Sequence, residues 1–296
     1  MSVHKQDSHN STVPLSVIIV SEMRRMDDIH ACLQSLVEQE DHRLFEIILV
    51  TYGDAHIDLD TWIEQGLDIR MHRVRENNYC VKRNAGARKA KGDIVAYIDD
   101  DTILQPTWVN AIIEGFRENW KMAGGKVEPL FETKVPQKLR GYERTIGGFN
   151  YFPEIGYATD TIIGCNMFFD RCWLADTGGF DEYIGEMNAN CPKTFYGGDE
   201  VDVQARLDPA QFGFIPEAHV CHKIQEGRMN PDYILKRAEG MGRARCYIDQ
   251  KNGIPRKRVL YKYVYLLRRL ISLRKRFYNK RKYYYMVGYF RQKSPE

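Results

Sequence analysis

The stretch Ile94-Val-Ala-Tyr-Ile-Asp-Asp-Asp101 decides the fold. Five apolar residues rich in β-branched side chains predict a strand buried on both faces, the pattern of a parallel sheet covered by helices. Working outward, 15–20 (Leu-Ser-Val-Ile-Ile-Val) is a run of the same kind behind Pro14. Residues 45–50 predict a second buried strand, and 68–74 a weaker third. Between them, 27–38 carries Ile29, Cys32, Leu33 and Leu36 at helical spacing, and 79–90 also reads as a helix. Downstream, Pro106 is placed in the first turn of a helix with Val109, Ile112, Ile113 and Phe116 on one face, and 122–128 reads as a fifth strand. Strands alternating with helices of this length pair in parallel through right-handed crossovers. Ligands of such sheets bind beyond the carboxyl ends of the strands, which is where Asp99, Asp100 and Asp101 fall.

Three adjacent carboxylates repel one another, and each makes its neighbours' ionisation more costly unless a cation compensates. Hard oxygen donors suit Mg²⁺ or Mn²⁺. Judged by charge alone, the triplet reads equally well as a solvated turn capping the next helix. Alternate residues of an extended segment point the same way, so Asp99 and Asp101 are separable in role from Asp100.

Order along the chain adds what charge leaves open. Arg83-Asn84-x-Gly86, Asp99-x-Asp101, Gly178-Gly179-Phe180-Asp181 and Asp199-Glu200-x-Asp202 follow one another with strands between. Over 14–253 this resembles the inverting family 2 glycosyltransferases. The resemblance implies a GT-A, Rossmann-like α/β fold: an open mixed sheet flanked by helices, divided into a nucleotide-binding half (14–128) and an acceptor half (129–253). It implies a nucleotide-diphosphate sugar as donor and a glycan or lipid-linked glycan as acceptor, in polysaccharide or glycolipid assembly, with Mg²⁺ or Mn²⁺ as cofactor. Asp99 is then expected on the donor ribose, with Asp101 on the metal. Arg83, Asn84 and Asp100 line the nucleotide-sugar pocket, and Gly179 and Asp181 the acceptor side. Glu200 is expected to be the general base, with Asp199 as its rival. His222 is expected to complete the metal shell, with His219 as the alternative. The first strand runs into Ser21-Glu22 where the family carries Tyr-Asn, and the second into Tyr52-Gly53-Asp54 where the family has an acidic pair. Ser21, Glu22 and Asp54 are therefore assigned to the nucleotide-sugar side, with Tyr52 stacking on the base as the alternative to Asp54.

Composition sets the remaining bounds. Seven scattered cysteines without a Cys-x-x-Cys pair point to reduced thiols. The polar leader 1–13 lacks a signal-peptide core, so a cytoplasmic location is expected. The net charge of +3 conceals a division: 254–295 holds 14 Lys/Arg and no acid, leaving 29 basic against 40 acidic side chains elsewhere. Within this basic helical extension, 256–277 places Val259, Tyr263, Leu266, Leu270 and Phe277 on one arc. It reads either as an amphipathic helix at the inner face of the plasma membrane or as one packed on the catalytic domain. No nucleic-acid module accompanies the charge. A nucleotidylyltransferase would need a glycine-rich loop after the first strand, and Val20-Ser21-Glu22-Met23 has no glycine. A non-catalytic sugar-nucleotide-binding protein is the other alternative.

Overall fold

The computed structural model describes residues 13–140, 142, 146, 156–157, 162–189, 197–255 and 276–291. Strands β1 (Leu15–Val20), β2 (Phe45–Tyr52), β3 (Ile69–Val74) and β4 (Ile94–Asp99) lie parallel in the order β3-β2-β1-β4. Helices α1 (Met26–Val37), α2 (Asp60–Glu64) and α3 (Tyr79–Lys89) make the crossovers. Every residue of β1 is buried, and successive side chains enter opposite layers. Val17 and Ile19 pack with Ile29, Leu33 and Leu36 of α1. Ile18 and Val20 pack on the other face with Cys80 and Ala85 of α3.

Beyond β4 the sheet becomes mixed and grows to nine strands with β5 (Thr102–Leu104), β6 (Met122–Phe131), β7 (Gly156–Tyr157), β8 (Asn166–Asp170) and β9 (Phe212–Ile224). Strand β8 is antiparallel to β4 and β6, while β9 is parallel to β6 and antiparallel to β5 and β7. The remaining helices are α4 (Trp108–Gly115), α5 (Arg171–Asp176), α6 (Glu182–Ala189), α7 (Asp199–Gln204), α8 (Pro231–Lys251) and α9 (Arg276–Arg291). Pro106 lies two residues ahead of α4 rather than in its first turn.

Strand β9 contains Pro216, which an interior ladder does not tolerate. The register shows how it is accommodated. Gly125 pairs with Ile215 but Val127 pairs with Val220, so residues 216–219 bulge out of the ladder. Asn166 closes the bulge: its Nδ2 donates to Lys126 O (3.0 Å) and Ala218 O (2.8 Å), and its Oδ1 accepts from Trp108 Nε1 (3.0 Å). This buried amide aligns the start of β8 with the far end of β9, the two points that meet at the acidic triplet.

The 1–12 part of the leader and 256–275 of the basic extension lie outside the described residues. The last helix of that extension, α9, packs on α8, burying Met286, Val287 and Tyr289. Tyr289 Oη donates to Asp249 Oδ2 (2.9 Å), and Arg291 pairs with Glu239 (2.9 Å). The two backbones touch through glycines: a Cβ on Gly242 would stand 1.9 Å from Tyr285 O, and one on Gly288 1.8 Å from Glu239 O. Gly242→Ala should therefore force the helices apart and cost roughly 1–3 kcal/mol, read from denaturant unfolding of the full chain. An unchanged midpoint would mean that α9 does not dock there. Among the described residues no helix is long and apolar enough to cross a membrane.

Candidate active site

The triplet leaves β4 at the carboxyl edge of the parallel strands. Val20 of β1 pairs with Asp99, Asn166 of β8 pairs with Ile98, and His222 of β9 pairs with Thr102. Four strands thus deliver Ser21, Asp99, Cys165 and His222 to one place.

Within the triplet the three carboxylates face different partners. Asp100 Oδ2 accepts a 2.5 Å hydrogen bond from Ser21 Oγ, and burial together with the Asp101 and Asp99 charges raises its pKa to about 7 despite that bond. Asp99 is also raised, by burial and by Asp101. Asp101 is 7% exposed, with Oδ1 3.2 Å from His222 Nε2 and Oδ2 3.7 Å from Arg228. Burial opposes its ionisation, but the His222 hydrogen bond and the His222 and Arg228 charges outweigh it and hold the carboxyl low. His219, the alternative ligand, faces away and pairs with Glu128 (3.2 Å).

These groups fit a divalent ion. Asp101 Oδ1 is buried and faces His222 Nε2 at 3.2 Å. One ligand atom each from Asp99, Cys165 and His222 also lies within 4.8 Å of the others. Two carboxylates and an imidazole in one partly enclosed corner carry the negative charge that such an ion neutralises.

Helix α3 supplies the next layer. Asn78 caps it by accepting from Cys80 N (2.9 Å) and Val81 N (3.3 Å), and Lys82, Arg83 and Asn84 are buried in succession. Arg83 is ion-paired with Asp199 at the start of α7, and its guanidinium lies 5.2 Å from the Phe180 ring. Tyr97 Oη donates to Arg83 O (3.1 Å) and fixes the backbone there. Asn84, expected on the nucleotide side, is instead committed to the Gly178-Gly179-Phe180 turn. Its Nδ2 donates to Phe180 O (2.9 Å) and Glu182 Oε1 (3.0 Å), and its Oδ1 accepts from Phe180 N (2.8 Å). Gly178 and Gly179 have φ of 83° and 70°, the left-handed region that favours glycine, and a Cβ on Gly179 would stand 2.4 Å from Asn84 Oδ1.

The expected acceptor-side acid Asp181 has its carboxylate engaged. Oδ2 accepts from Tyr247 Oη (2.8 Å) and Lys251 Nζ (2.7 Å), and Oδ1 accepts from Tyr183 N (3.0 Å). Lys251 also bonds Asp202 of α7 (3.0 Å), while Arg206 joins Asp202 to Gly179 O (2.7 Å). This network ties α8 to both the turn and α7. Glu200 differs from its neighbour Asp199. It is half-buried, its carboxylate accepts from Gly198 N at 3.3 Å, and it forms no ion pair among the described residues.

Of the groups at the first two strand ends, Ser21 is buried against Asp100, Glu22 pairs with exposed Arg24 (2.8 Å), and Asp54 is exposed beyond the left-handed Gly53. The structure adds residues that sequence reasoning had not singled out. Lys82 is wholly buried, with its Nζ 4.5 Å from the Tyr79 ring and 5.2 Å from that of Tyr52, donating to Ser21 O (3.3 Å) and Asn77 Oδ1 (3.0 Å). Burial lowers its pKa to about 8, against the pull of Glu22 and Asp100. Arg228 sits in a short turn after β9, where an isolated arginine gives no sequence signal.

Comparison with known proteins gives the family and the fold. Residues 16–178 match the family model for glycosyl transferase family 2. A glucosyl-dolichyl phosphate glucuronosyltransferase of Haloferax volcanii is 24% identical over 257 residues, covering 79% of this chain and 76% of that protein. The hyaluronan synthase of Pasteurella multocida is 34% identical over 107 residues, covering 34% of this chain but only 11% of the synthase. Among solved structures, the mannosyltransferase PcManGT of Pyrobaculum calidifontis, in complex with GDP-Man and Mn²⁺, superposes with a TM-score of 0.57 at 14% identity, covering 94% of this chain and 86% of that one. GalNAc-T7 with UDP, GalNAc and Mn²⁺ gives 0.53 at 13% identity, covering 80% and 50%. These likenesses identify the fold as GT-A.

Proposed function

This chain belongs to glycosyl transferase family 2, and on that premise we propose that it moves a sugar, with inversion, from a nucleotide-diphosphate donor to a hydroxyl of a glycan or lipid-linked glycan. The observation that carries the reading is the convergence of Asp99, Asp101 and His222 at the carboxyl edge of the sheet, with Asp101 3.2 Å from His222. Close by, Arg83 holds Asp199 and leaves Glu200 available.

In this reading Asp99 meets the donor ribose, and Ser21 with Asp100 shapes the adjoining wall. Asp101 and His222, with Asp99 beside them, hold Mg²⁺ or Mn²⁺, which when bound supplies Lewis-acid stabilisation of the departing diphosphate. Glu200 accepts the proton of the acceptor hydroxyl as its oxygen bonds the anomeric carbon and the bond to the diphosphate breaks. Arg83 and Asn84 act by positioning: one orients α7, the other fixes the glycine turn that borders it. The Haloferax relative, named for a glucosyl-dolichyl phosphate acceptor, supports a lipid-linked acceptor here.

The same reading divides the chain into a catalytic part, 14–253, and a basic extension, 254–296. With α9 docked on α8, a peripheral membrane contact at the inner face rests on 256–277. Co-sedimentation with anionic liposomes should fall when the basic residues of that stretch are neutralised; unchanged binding would reject membrane docking. The transfer itself is tested with a panel of UDP-, GDP- and dTDP-sugars, each with and without Mn²⁺. Release of nucleoside diphosphate from one donor class, abolished by EDTA, is expected. Tight metal-dependent binding of a donor without turnover or transfer would overturn the reading in favour of a sugar-nucleotide-binding protein.

A further inference from the structure

We propose that Cys165 is a direct thiolate ligand of the divalent ion in this site, making the centre a mixed oxygen, nitrogen and sulfur site that favours borderline and soft ions over Mg²⁺. The proposal builds on the metal-dependent reading above but concerns the choice of ion rather than the reaction.

The geometry is the main argument. Cys165 immediately precedes β8, whose pairing with β4 sets Asn166 against Ile98 and so brings the sulfur to the level of Asp99. A carboxylate oxygen of Asp99, Cys165 Sγ and a ring nitrogen of His222 lie within 4.8 Å of one another. That spacing suits a single ion at donor bond lengths of about 2.0–2.3 Å. The position is rigid. Asn166 is anchored by three side-chain hydrogen bonds to β6, α4 and the β9 bulge, which hold the start of β8, and with it the Cys165 backbone, against the site. Asp101, with Oδ1 3.2 Å from His222 Nε2, lies beside this cluster. Among the described residues no other cysteine belongs to such a cluster.

The chemistry follows from the donor set. Cys165 is buried beside Asp99 and His222, and it is the thiolate, not the thiol, that ligates a metal. A coordinating cation deprotonates a thiol outright, releasing the proton to solvent and leaving a soft anionic donor. Carboxylate and water ligands alone suit Mg²⁺ and Mn²⁺, whereas thiolate shifts preference toward Co²⁺, Zn²⁺ and Cd²⁺.

The test is calorimetric and optical titration of the full chain with Cd²⁺, Co²⁺, Mn²⁺ and Mg²⁺, in wild type, Cys165→Ser, Cys165→Ala and the exposed-cysteine control Cys172→Ser. Wild type and Cys172→Ser should show a thiolate-to-Co²⁺ absorption band in the near ultraviolet and should bind Cd²⁺ more tightly than Mg²⁺. Both Cys165 variants should lose the band, release one proton fewer on Cd²⁺ binding, and bind Cd²⁺ at least ~10–100-fold more weakly, the loss that an outer-shell partner alone incurs, with melting temperatures near wild type. The band, or Cd²⁺ affinity, surviving in a folded Cys165 variant would overturn the assignment, as would no band in wild type. Donor turnover by wild type is scored separately. Turnover without a sulfur signature sinks this inference alone; a sulfur signature without turnover sinks only the proposed reaction.

Discussion

Glu200→Gln should lower kcat by ~10²–10⁴-fold while leaving the KM for the sugar nucleotide near that of wild type. An acceptor hydroxyl is a poor nucleophile until a positioned base removes its proton, so the loss should appear in the chemical step. Sequence order left Asp199 and Glu200 as rivals, and the structure separates them physically. Asp199 is buried and ion-paired with Arg83, whose guanidinium is itself packed over Phe180. A carboxylate held in that way is poorly placed to take up a proton or to move toward an incoming hydroxyl. Glu200, one residue on and half-buried, accepts from the Gly198 amide at 3.3 Å and forms no ion pair among the described residues. Asp199→Asn should accordingly register as a stability defect. Breaking a buried pair leaves the guanidinium uncompensated, at a cost of roughly 3–5 kcal/mol. Steady-state kinetics beside denaturant unfolding distinguish the two. If Glu200→Gln kept activity within tenfold of wild type and a folded Asp199→Asn lost it, the base would be Asp199.

The contrast between these neighbours shows where sequence reading succeeds and where it stops. Strands β1, β2 and β4 were legible because burial on both faces forces near-continuous apolar runs, β3 only weakly because it is mostly half-buried, and α1 because one buried face imposes a period near 3.6. Strand β9 was not legible. Its ladder is interrupted by a bulge at 216–219 that admits Pro216, and His219 and His222 further break its alternation, so only its partner strand reveals it. Strand β5, three residues long, falls below any period. Helix α3 hides its character differently: Lys82, Arg83 and Asn84 are all buried although their types predict a solvated face. Motif order recovered Arg83 and Asn84, but not that Asn84 serves the glycine turn or that Lys82 is enclosed by Tyr52 and Tyr79. A polar side chain's destination depends on what the rest of the chain brings to it, and local pattern does not encode that. The acidic triplet was legible as a candidate site because it ends a strand. Its division of labour was not, since Ser21, His222 and Arg228 reach it from distant parts of the chain.

Asp101→Asn should reduce metal-dependent kcat/KM by at least ~10³-fold, about 4 kcal/mol of transition-state stabilisation, while the protein stays folded. The substitution keeps shape and removes charge. Asp101 is where the charge matters most: of the three carboxylates it alone is held well ionised, by His222 at 3.2 Å and Arg228 at 3.7 Å, whereas Asp99 and Asp100 are pushed upward. A cation binding here would find its best-developed negative charge at Asp101, with burial and that charge opposing ionisation of Asp99 and Asp100. Losing Asp101 should therefore weaken Mn²⁺ binding measured by calorimetry and remove the stabilisation of charge building on the departing diphosphate. The fold should tolerate the change. His222 and Arg228 keep the Asp99 carboxylate as a neighbour, and Lys223 N still donates to the residue 101 backbone carbonyl at 2.9 Å, holding β9 in place. A melting temperature near wild type with activity lost is the expected pair of results. Full activity in Asp101→Asn that survives EDTA would remove the triplet from the chemistry and return it to the role of a capping turn.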